Sequence, residues 1–314
     1  MSLTAAVLRD GRYRPCFSGH ETFPLRYGWL QKAFHAVRRS TDSRAAVHVF
    51  RDPVSIANFG VGRNMIGSMR YWATATGILD DTEDGLAVSW FGEMLFGDEG
   101  IDLHLEEDFS LWLIHWHLAS RPRLTSFYWL FNHYRGGSFL RKDIVLNLTR
   151  LADDCGWARV AESTVDRDVQ CLVRSFIGGR GANSNGDSIL AELGLILPID
   201  KARSKLATGR KPTLPDAVFA WCLEEFWNGF SDTQSTMSFE SLAYGEGSPG
   251  RVFLLDEHDL VDRLERLENV TGGDLNWSET VGLRQVIRRG RRSDERRWEE
   301  LRETLKTHAL RAAV

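Results

Sequence analysis

His20 and Glu21 stand side by side in SGHETFP, a loop-like stretch near the start of the chain. Their types suit hydrolysis: an imidazole can serve as base or nucleophile, and a carboxylate can help to hold Mg²⁺ or Mn²⁺. The same pair can equally cap or order a loop. Other candidates are scattered. His115 and His117 form an HxH, yet on a helix side chains two apart point about 200° away from each other. Shared metal ligation there would need a strand, and core packing is the simpler account. Asp187 with Glu192, and Asp256 with Glu257, are carboxylates that folding could converge. No HExxH, HxK repeat or Asp followed by Glu-x-Lys occurs, so the metal ligands are unknown. Mg²⁺ or Mn²⁺ is the cofactor such chemistry would use, and no organic cofactor is indicated. Cys16, Cys155, Cys171 and Cys222 form no CxxC pair and read as buried thiols rather than a zinc or disulfide framework.

The elements that must position these residues spell a winged helix-turn-helix between Asp52 and Gly92. DPVSIANF can open a helix with Asp52 as N-cap and Pro53 at the first position, and Gly60-Val61-Gly62 supplies a turn. In RNMIGSMRYWATATG, Met65, Met69, Trp72 and Thr76 share one face and Asn64, Gly67, Arg70, Tyr71 and Thr74 the other, with Gly77 as the closing C′ residue. Two short apolar runs around Asp84-Gly85 signal a hairpin, the wing. The second helix of such a motif can enter the major groove, so Arg63, Asn64, Ser68, Arg70 and Tyr71 are candidate DNA contacts. An ordinary helical corner, or a winged helix used for protein contacts, accounts for the same pattern.

A second unit repeats this logic. FLRKDIVLNLTRLADDCG reads as an amphipathic helix ended by Gly156, and Ser163 reads as the N-cap of STVDRDVQCLVRSF. The inner face there is Val165, Val169, Leu172, Val173 and Phe176, leaving Thr164, Arg167, Asp168, Cys171 and Arg174 outside. SILAELGLILPID runs from a short helix into a β-prone segment, and KARSKLATGRKP follows as a basic hairpin or loop, a second wing. Lys201, Arg203, Lys205, Arg210 and Lys211 could straddle a phosphate backbone, and Thr164, Arg167 and Arg174 could contact DNA beside them. In the last third, VFAWCLEEFWNGF and EHDLVDRLERLE read as helices, Ser238 as the cap of SFESLAYG, SPGRVFLLD as a turn into a strand, and LNWSETVGLRQVIRRG as a hairpin. RRSDERRWEELRETLKTHAL reads as a solvated or partner-facing helix.

The expected class is mainly α with short β-hairpins (α+β), built as two or three winged helix-turn-helix-like units in tandem. The divisions fall at 1–122, 123–211, 212–290 and 291–314. The chain of 314 residues carries a net charge of −4, which looks wrong for a nucleic-acid binder until it is divided. Residues 1–122 hold 12 basic and 15 acidic side chains, 123–211 hold 14 and 9, and 212–314 hold 13 and 19. Phosphate is bound through local Lys and Arg, so the middle third is the expected footprint on double-stranded DNA. Of the 11 Trp, Trp112, Trp116, Trp221 and Trp227 fall in amphipathic runs and read as core rather than base-stacking platforms. No apolar run approaches the ~20 residues of a membrane helix, and MSLTAAVLRDGRYR lacks the apolar core of a secretory signal, so a cytoplasmic protein is expected.

FSGHETFPLRYGWLQKA, GVGRNMIGSMRYWATATGIL, LWLIHWHLAS, SPGRVFLLDEHDL and ETVGLRQV, in this order between Phe17 and Gly290, resemble the SspB-like family of the bacterial Ssp DNA phosphorothioation systems. The resemblance implies a role in replacing a non-bridging phosphate oxygen with sulfur, in a modification and phage-defence system. It also implies an endonuclease activity that nicks one DNA strand, and work beside a cysteine desulfurase, an ATPase and a sulfurtransferase-like protein. Oligomerisation is left open. The family block covers His20, Glu21, Arg26 and Tyr27 in its opening motif, and Arg63, Asn64, Arg70 and Tyr71 in its helix, without assigning them roles. His20 and Glu21 are thus the catalytic candidates and Arg26 joins the candidate DNA contacts. A non-catalytic DNA-targeting or regulatory subunit, or a scaffold for the modification complex, is the alternative.

Overall fold

Glycine punctuation and polar caps set the element boundaries in the computed structural model, which describes residues 7–40, 42–52, 55–158, 160–177, 188–230, 234–280, 282–290 and 292–312. After α1 (Trp29–Arg38) and α2 (Ser43–Val49), a short α3 (Ser55–Phe59) leads through the Gly60–Gly62 turn into α4 (Arg63–Ala75). Pro53, on which the expected start of α3 rests, lies outside the described residues. Gly77, at φ +76°, takes the left-handed C′ position that ends α4. The Glu83-Asp84 turn then joins β1 (Leu79–Thr82) to β2 (Gly85–Val88) in the hairpin expected there.

α5 (Trp90–Phe96) is capped by the Ser89 hydroxyl, which accepts from Gly92 N–H. α6 (Asp108–Ala119) is buried on nearly every face, as a helix without a polar stripe must be. It packs on α7 (Thr125–His133), on the 3₁₀ turn at 189–193 and on a later helix, α10. The next unit comprises β3 (Phe139–Leu140), α8 (Arg141–Asp154), α9 (Glu162–Ile177), β4 (Ile196–Pro198) and β5 (Arg203–Leu206), its sheet ordered β3-β5-β4. α9 starts one residue ahead of Ser163, which therefore lies inside the helix instead of capping it.

The last third holds α10 (Asp216–Phe230), β6 (Thr236–Ser238), α11 (Phe239–Tyr244), α12 (Pro249–Val252), α13 (Glu257–Glu265), α14 (Leu267–Val270), β7 (Leu275–Thr280) and β8 (Leu283–Arg288). Its sheet is ordered β6-β8-β7. SPGRVFLLD forms the short helix α12 rather than a strand, because Ser248 accepts from Arg251 N–H and Pro249 sits at the first helical position. The tail forms α15 (Asp294–Ala312), and one face of it is packed: Leu301 and Leu305 are buried and Trp298 lies against Trp221, their ring centroids 4.3 Å apart. A helix with buried leucines is anchored, which corrects the reading of a solvated tail.

The class is α+β: helices with small antiparallel sheets. One contiguous hydrophobic core runs from Phe17 to Leu305, and Trp112, Trp116, Trp221 and Trp227 all lie in it. His115 is fully buried in this core, where its Nε2–H donates to the Val252 carbonyl at 2.7 Å and burial pushes its pKa down to about 4.

That buried imidazole stays neutral in the folded chain as pH falls from 6.5 towards about 4, whereas the unfolded chain takes up the proton. The unfolded state then binds more protons, so folding stability drops as pH falls through this window, by about 3 kcal/mol once it is crossed. Urea midpoints at pH 7 and pH 5 should show the loss, and His115→Gln, though less stable at pH 7, should lose less on acidification. Equal acid losses in the two proteins would exclude His115 as the cause.

Candidate functional site

The opening motif folds into a seam between α4, α7 and α9. His20 is buried; its Nδ1 accepts from Thr22 N–H at 3.0 Å, so the ring proton sits on Nε2 and is donated to Asp168 Oδ1 at 2.9 Å. Asp168, on α9 and 3% exposed, also accepts from the Ser126 hydroxyl of α7 through its other oxygen. The carbonyl of His20 accepts from Ser68 Oγ of α4 at 2.9 Å. Both ring nitrogens and the carbonyl are thus spent inside the fold, and as placed His20 offers no nitrogen to a metal or a substrate proton. Glu21 beside it is exposed, on a turn where Glu21 and Thr22 both take positive φ, +48° and +65°. Non-glycine residues hold such angles at a cost that surrounding contacts must offset.

Tyr71 closes the seam from α4. Its ring lies edge-on to His20, with centroids 5.8 Å apart, and burial raises its phenol well above the ordinary range. Gly19 is required here, because at φ +116° a Cβ would stand 2.4 Å from the Tyr71 ring. Arg26 is half-buried with its guanidinium 5.7 Å from the Phe23 ring and 5.6 Å from the Trp29 ring, its backbone bridges Ser188, and Tyr27 donates to Glu192 Oε1.

The expected contacts on α4 therefore separate. Arg63 and Asn64 are exposed at its N-terminus, and Arg70 is half-buried, 3.9 Å from Asp81 of the hairpin. Ser68, expected to face outward, is internal because its hydroxyl satisfies the His20 carbonyl. The face assignment shifts by one position: Ile66 and Ala73 are buried with Met69 and Trp72, while Met65 is half-buried.

On α9 the same correction applies to Asp168 and Cys171, both buried. The outward stripe is Ser163, Arg167, Gln170 and Arg174, at spacings of four, three and four; Thr164 is half-buried. Ser163 and Gln170 were missed as surface candidates, although that spacing could have found them. β4 packs against α9 and pairs with β5, so the hairpin sits beside this helix. At its tip Asp200 accepts from Ala202 N–H and Arg203 N–H, both at 2.8 Å, bonds that pull its carboxyl pKa down. Lys201 is exposed on this turn, and Arg203 and Lys205 share one face of β5 with Ser204 turned in.

Two basic residues leave this group. Arg210 is exposed but 3.5 Å from Asp262. Lys211, 6% exposed, is internal: its ammonium donates to the carbonyls of Ala207 at 2.7 Å, Gly209 at 2.8 Å and Leu254 at 3.3 Å, and burial pushes its pKa down to about 8. It fastens the loop after β5 to the third unit and cannot reach a phosphate from there.

Among the described residues the candidate carboxylates are engaged separately. Asp187 lies outside the described residues, Asp256 caps α13, and Glu257 accepts from Tyr244. His115 and His117 are packing residues, the latter stacked on Phe91 at 5.0 Å. Among the described residues no three His, Cys, Asp or Glu are placed to hold a metal ion. Cys171 and Cys222 are buried thiols, while Cys16 and Cys155 are half-buried.

Asp168→Ala would strand the His20 ring N–H and the Ser126 hydroxyl in a dry seam, at a cost on the order of 3 kcal/mol, and Ser126→Ala alone about 1 kcal/mol. Urea unfolding should show this order; an Asp168→Ala change below about 0.5 kcal/mol, the size of an ordinary surface effect, would remove the seam's structural role.

A family model described as a protein of unknown function, DUF4007, matches residues 17–305. No curated protein matches. Two solved structures share the fold: a magnesium ion-bound SspB crystal structure, 26% identical with a TM-score of 0.81, and an SspB crystal structure, 27% identical with a TM-score of 0.81. Each comparison covers 95% of this chain and 89% of the other. The chain belongs to the DUF4007 family and is SspB-like, from the buried seam at His20 to the C-terminal helix.

Proposed function

We propose that this protein is the DNA-binding component of a bacterial phosphorothioation system, and that its three helix–hairpin units act as winged helices. The observation that carries the reading is the stripe Ser163, Arg167, Gln170 and Arg174 on α9 beside Lys201, Arg203 and Lys205 on the hairpin. All seven are exposed, and none of the five cations forms an ion pair among the described residues. A helix and a basic ribbon offered together match a major groove flanked by phosphates. Arg63 and Asn64, exposed at the start of α4, are a second contact of the same kind, with Arg70 and Tyr71 behind them. The third unit, rich in carboxylates, would face the cysteine desulfurase, ATPase or sulfurtransferase-like partner rather than DNA. A cytoplasmic location belongs to this reading.

The SspB-like fold supports a place in the pathway and, by extension, nicking of one strand. One of the similar crystal structures is described as magnesium ion-bound. Here no three-ligand cluster stands ready among the described residues. Within this reading Glu21 is the accessible member of the candidate pair and His20 holds it in place. The second reading is a DNA-targeting subunit that binds without cleaving.

Lys201→Ala with Arg203→Ala should weaken binding to every duplex alike. It should also flatten the dependence of log K on log salt by roughly 2, about 0.9 for each phosphate no longer neutralised. An unchanged slope in a gel-shift titration would place the DNA elsewhere.

Supercoiled plasmid incubated with the protein and Mg²⁺ or Mn²⁺ should yield open circles that EDTA prevents and Glu21→Gln abolishes. Intact plasmid accompanied by a gel shift would establish the non-cleaving reading instead.

A further inference from the structure

A cleft of about 1020 Å³, to which the basic hairpin contributes no residue, is walled by the C-terminal end of α4, the start of α5, the α6–α7 turn, α10 and α15. Volumes of this order hold small organic ligands. Trp90 of α5, 44% exposed, and Phe230 of α10, 41% exposed, both line it. Large aromatic faces left open to a cavity are surfaces on which a flat ring can stack. Two further lining residues carry polar atoms with no hydrogen-bond partner: His117 Nε2 and Trp221 Nε1, each buried among rings. Buried polar atoms without partners are rare in folded proteins and mark places where another group belongs. Trp221 Nε1 can donate only, while His117, whose pKa burial pushes down to about 4, is neutral and can donate or accept.

Charge narrows the ligand. The carboxylates lining the cleft are Asp80, Asp81, Glu225, Glu246 and Asp294; the lining cations are Arg121, Arg123 and Arg297. Each cation is engaged: Arg121 pairs with Glu225, Arg123 donates to the Thr74 carbonyl at 2.7 Å, and Arg297 is 3.1 Å from Glu224. A free phosphate would thus meet net negative charge. A neutral ring whose edge carries both donors and acceptors suits aromatic walls, carboxylate acceptors and unsatisfied ring nitrogens together.

We propose that this cleft binds a nucleobase, stacked on the exposed ring of Trp90 or Phe230, its edge turned to the lining carboxylates and to the wall that holds Trp221 and His117. The base can come from a free nucleoside or from a nucleotide extruded from a DNA strand, and the second source rests on the DNA-binding reading above.

The test uses the full-length protein with four probes, deoxyadenosine, deoxyguanosine, deoxycytidine and thymidine, followed by tryptophan fluorescence, and with a duplex carrying 2-aminopurine. Saturable quenching by at least one nucleoside is expected. Trp90→Ala, at an exposed position that leaves the core intact, should weaken it roughly fivefold or more, the scale of removing one aromatic ring from a base stack. Trp221→Phe, which keeps the ring and removes the N–H, should weaken it roughly twofold to tenfold. A 2-aminopurine signal that Trp90→Ala abolishes assigns the base to a DNA strand; nucleoside binding with a silent duplex assigns it to the free pool. Loss of the gel shift with nucleoside binding intact would sink the DNA reading and leave the cleft assignment standing. No saturable response to any nucleoside at millimolar concentration and none from the duplex would overturn the proposal, as would quenching by a polyamine such as spermidine where nucleosides are inert.

Discussion

A carboxyl group withdrawn from water must be given hydrogen-bond partners by the fold, and Asp168 receives them from His20 and Ser126. The loop that carries His20 is tied in turn to α4 through Ser68, and Tyr71 of α4 closes on the ring. One acidic side chain therefore aligns α4, α7 and α9 with the loop at 17–28. The same bonds hold two left-handed residues, Glu21 and Thr22, because the amide of Thr22 is satisfied by His20 Nδ1. With Ser68 and Asp168 committed inward, the rotation of both helices about their axes is set. The outward stripe of α9 follows from that constraint, not from any attraction of its arginines to solvent.

Where local chemistry decided the outcome, the residues could be read directly. Gly77 and Gly156 end helices at φ +76° and +64°, Ser238 caps α11 by accepting from Ser241 N–H, and the Asp84-Gly85 and 275–288 hairpins form where turn residues separate apolar runs. Where the partner is remote, reading failed. His20 and Asp168 are 148 residues apart, and a polar residue with no nearby partner is assigned to solvent by any pattern of apolar spacing. Ser68, Asp168 and Lys211 lie inside for this reason. Lys211 is drawn in by three carbonyls and by the Asp259 side chain that accepts its amide N–H, none of them foreseeable from KARSKLATGRKP. The tail misled in the opposite way. Its mixed charges suggested a free helix, but Arg297 reaches Glu224 and the Trp221 carbonyl, and the leucines between the charges fill the core.

Charge counting along the chain located the basic third but overstated its reach. Lys211 is buried, Arg210 is paired to Asp262 and Arg141 to Asp166 at 3.4 Å, so those cations are largely neutralised at short range. Lys201, Arg203, Lys205, Arg167 and Arg174 keep their charge at the surface, and Asp168, nominally their neighbour on α9, is withdrawn from it. A whole-chain charge of −4 is no obstacle, since screening confines interactions between exposed charges to about 8–10 Å at physiological salt.

The core joins this face to the cleft on rigid terms. α6 carries His115, whose proton goes to Val252, and two positions later His117, which lines the cleft; it also packs on the 3₁₀ turn at 189–193 that leads into the hairpin. A helix buried on nearly every face cannot rotate without opening voids beside Trp112 and Trp116, and interiors at crystal-like density resist that. The hairpin and the cleft wall are therefore positioned with respect to each other by the packing of α6. An SspB-like chain of this construction presents two surfaces of different chemistry, one cationic and open, one aromatic and acidic. The spacing between them is a property of the packed core.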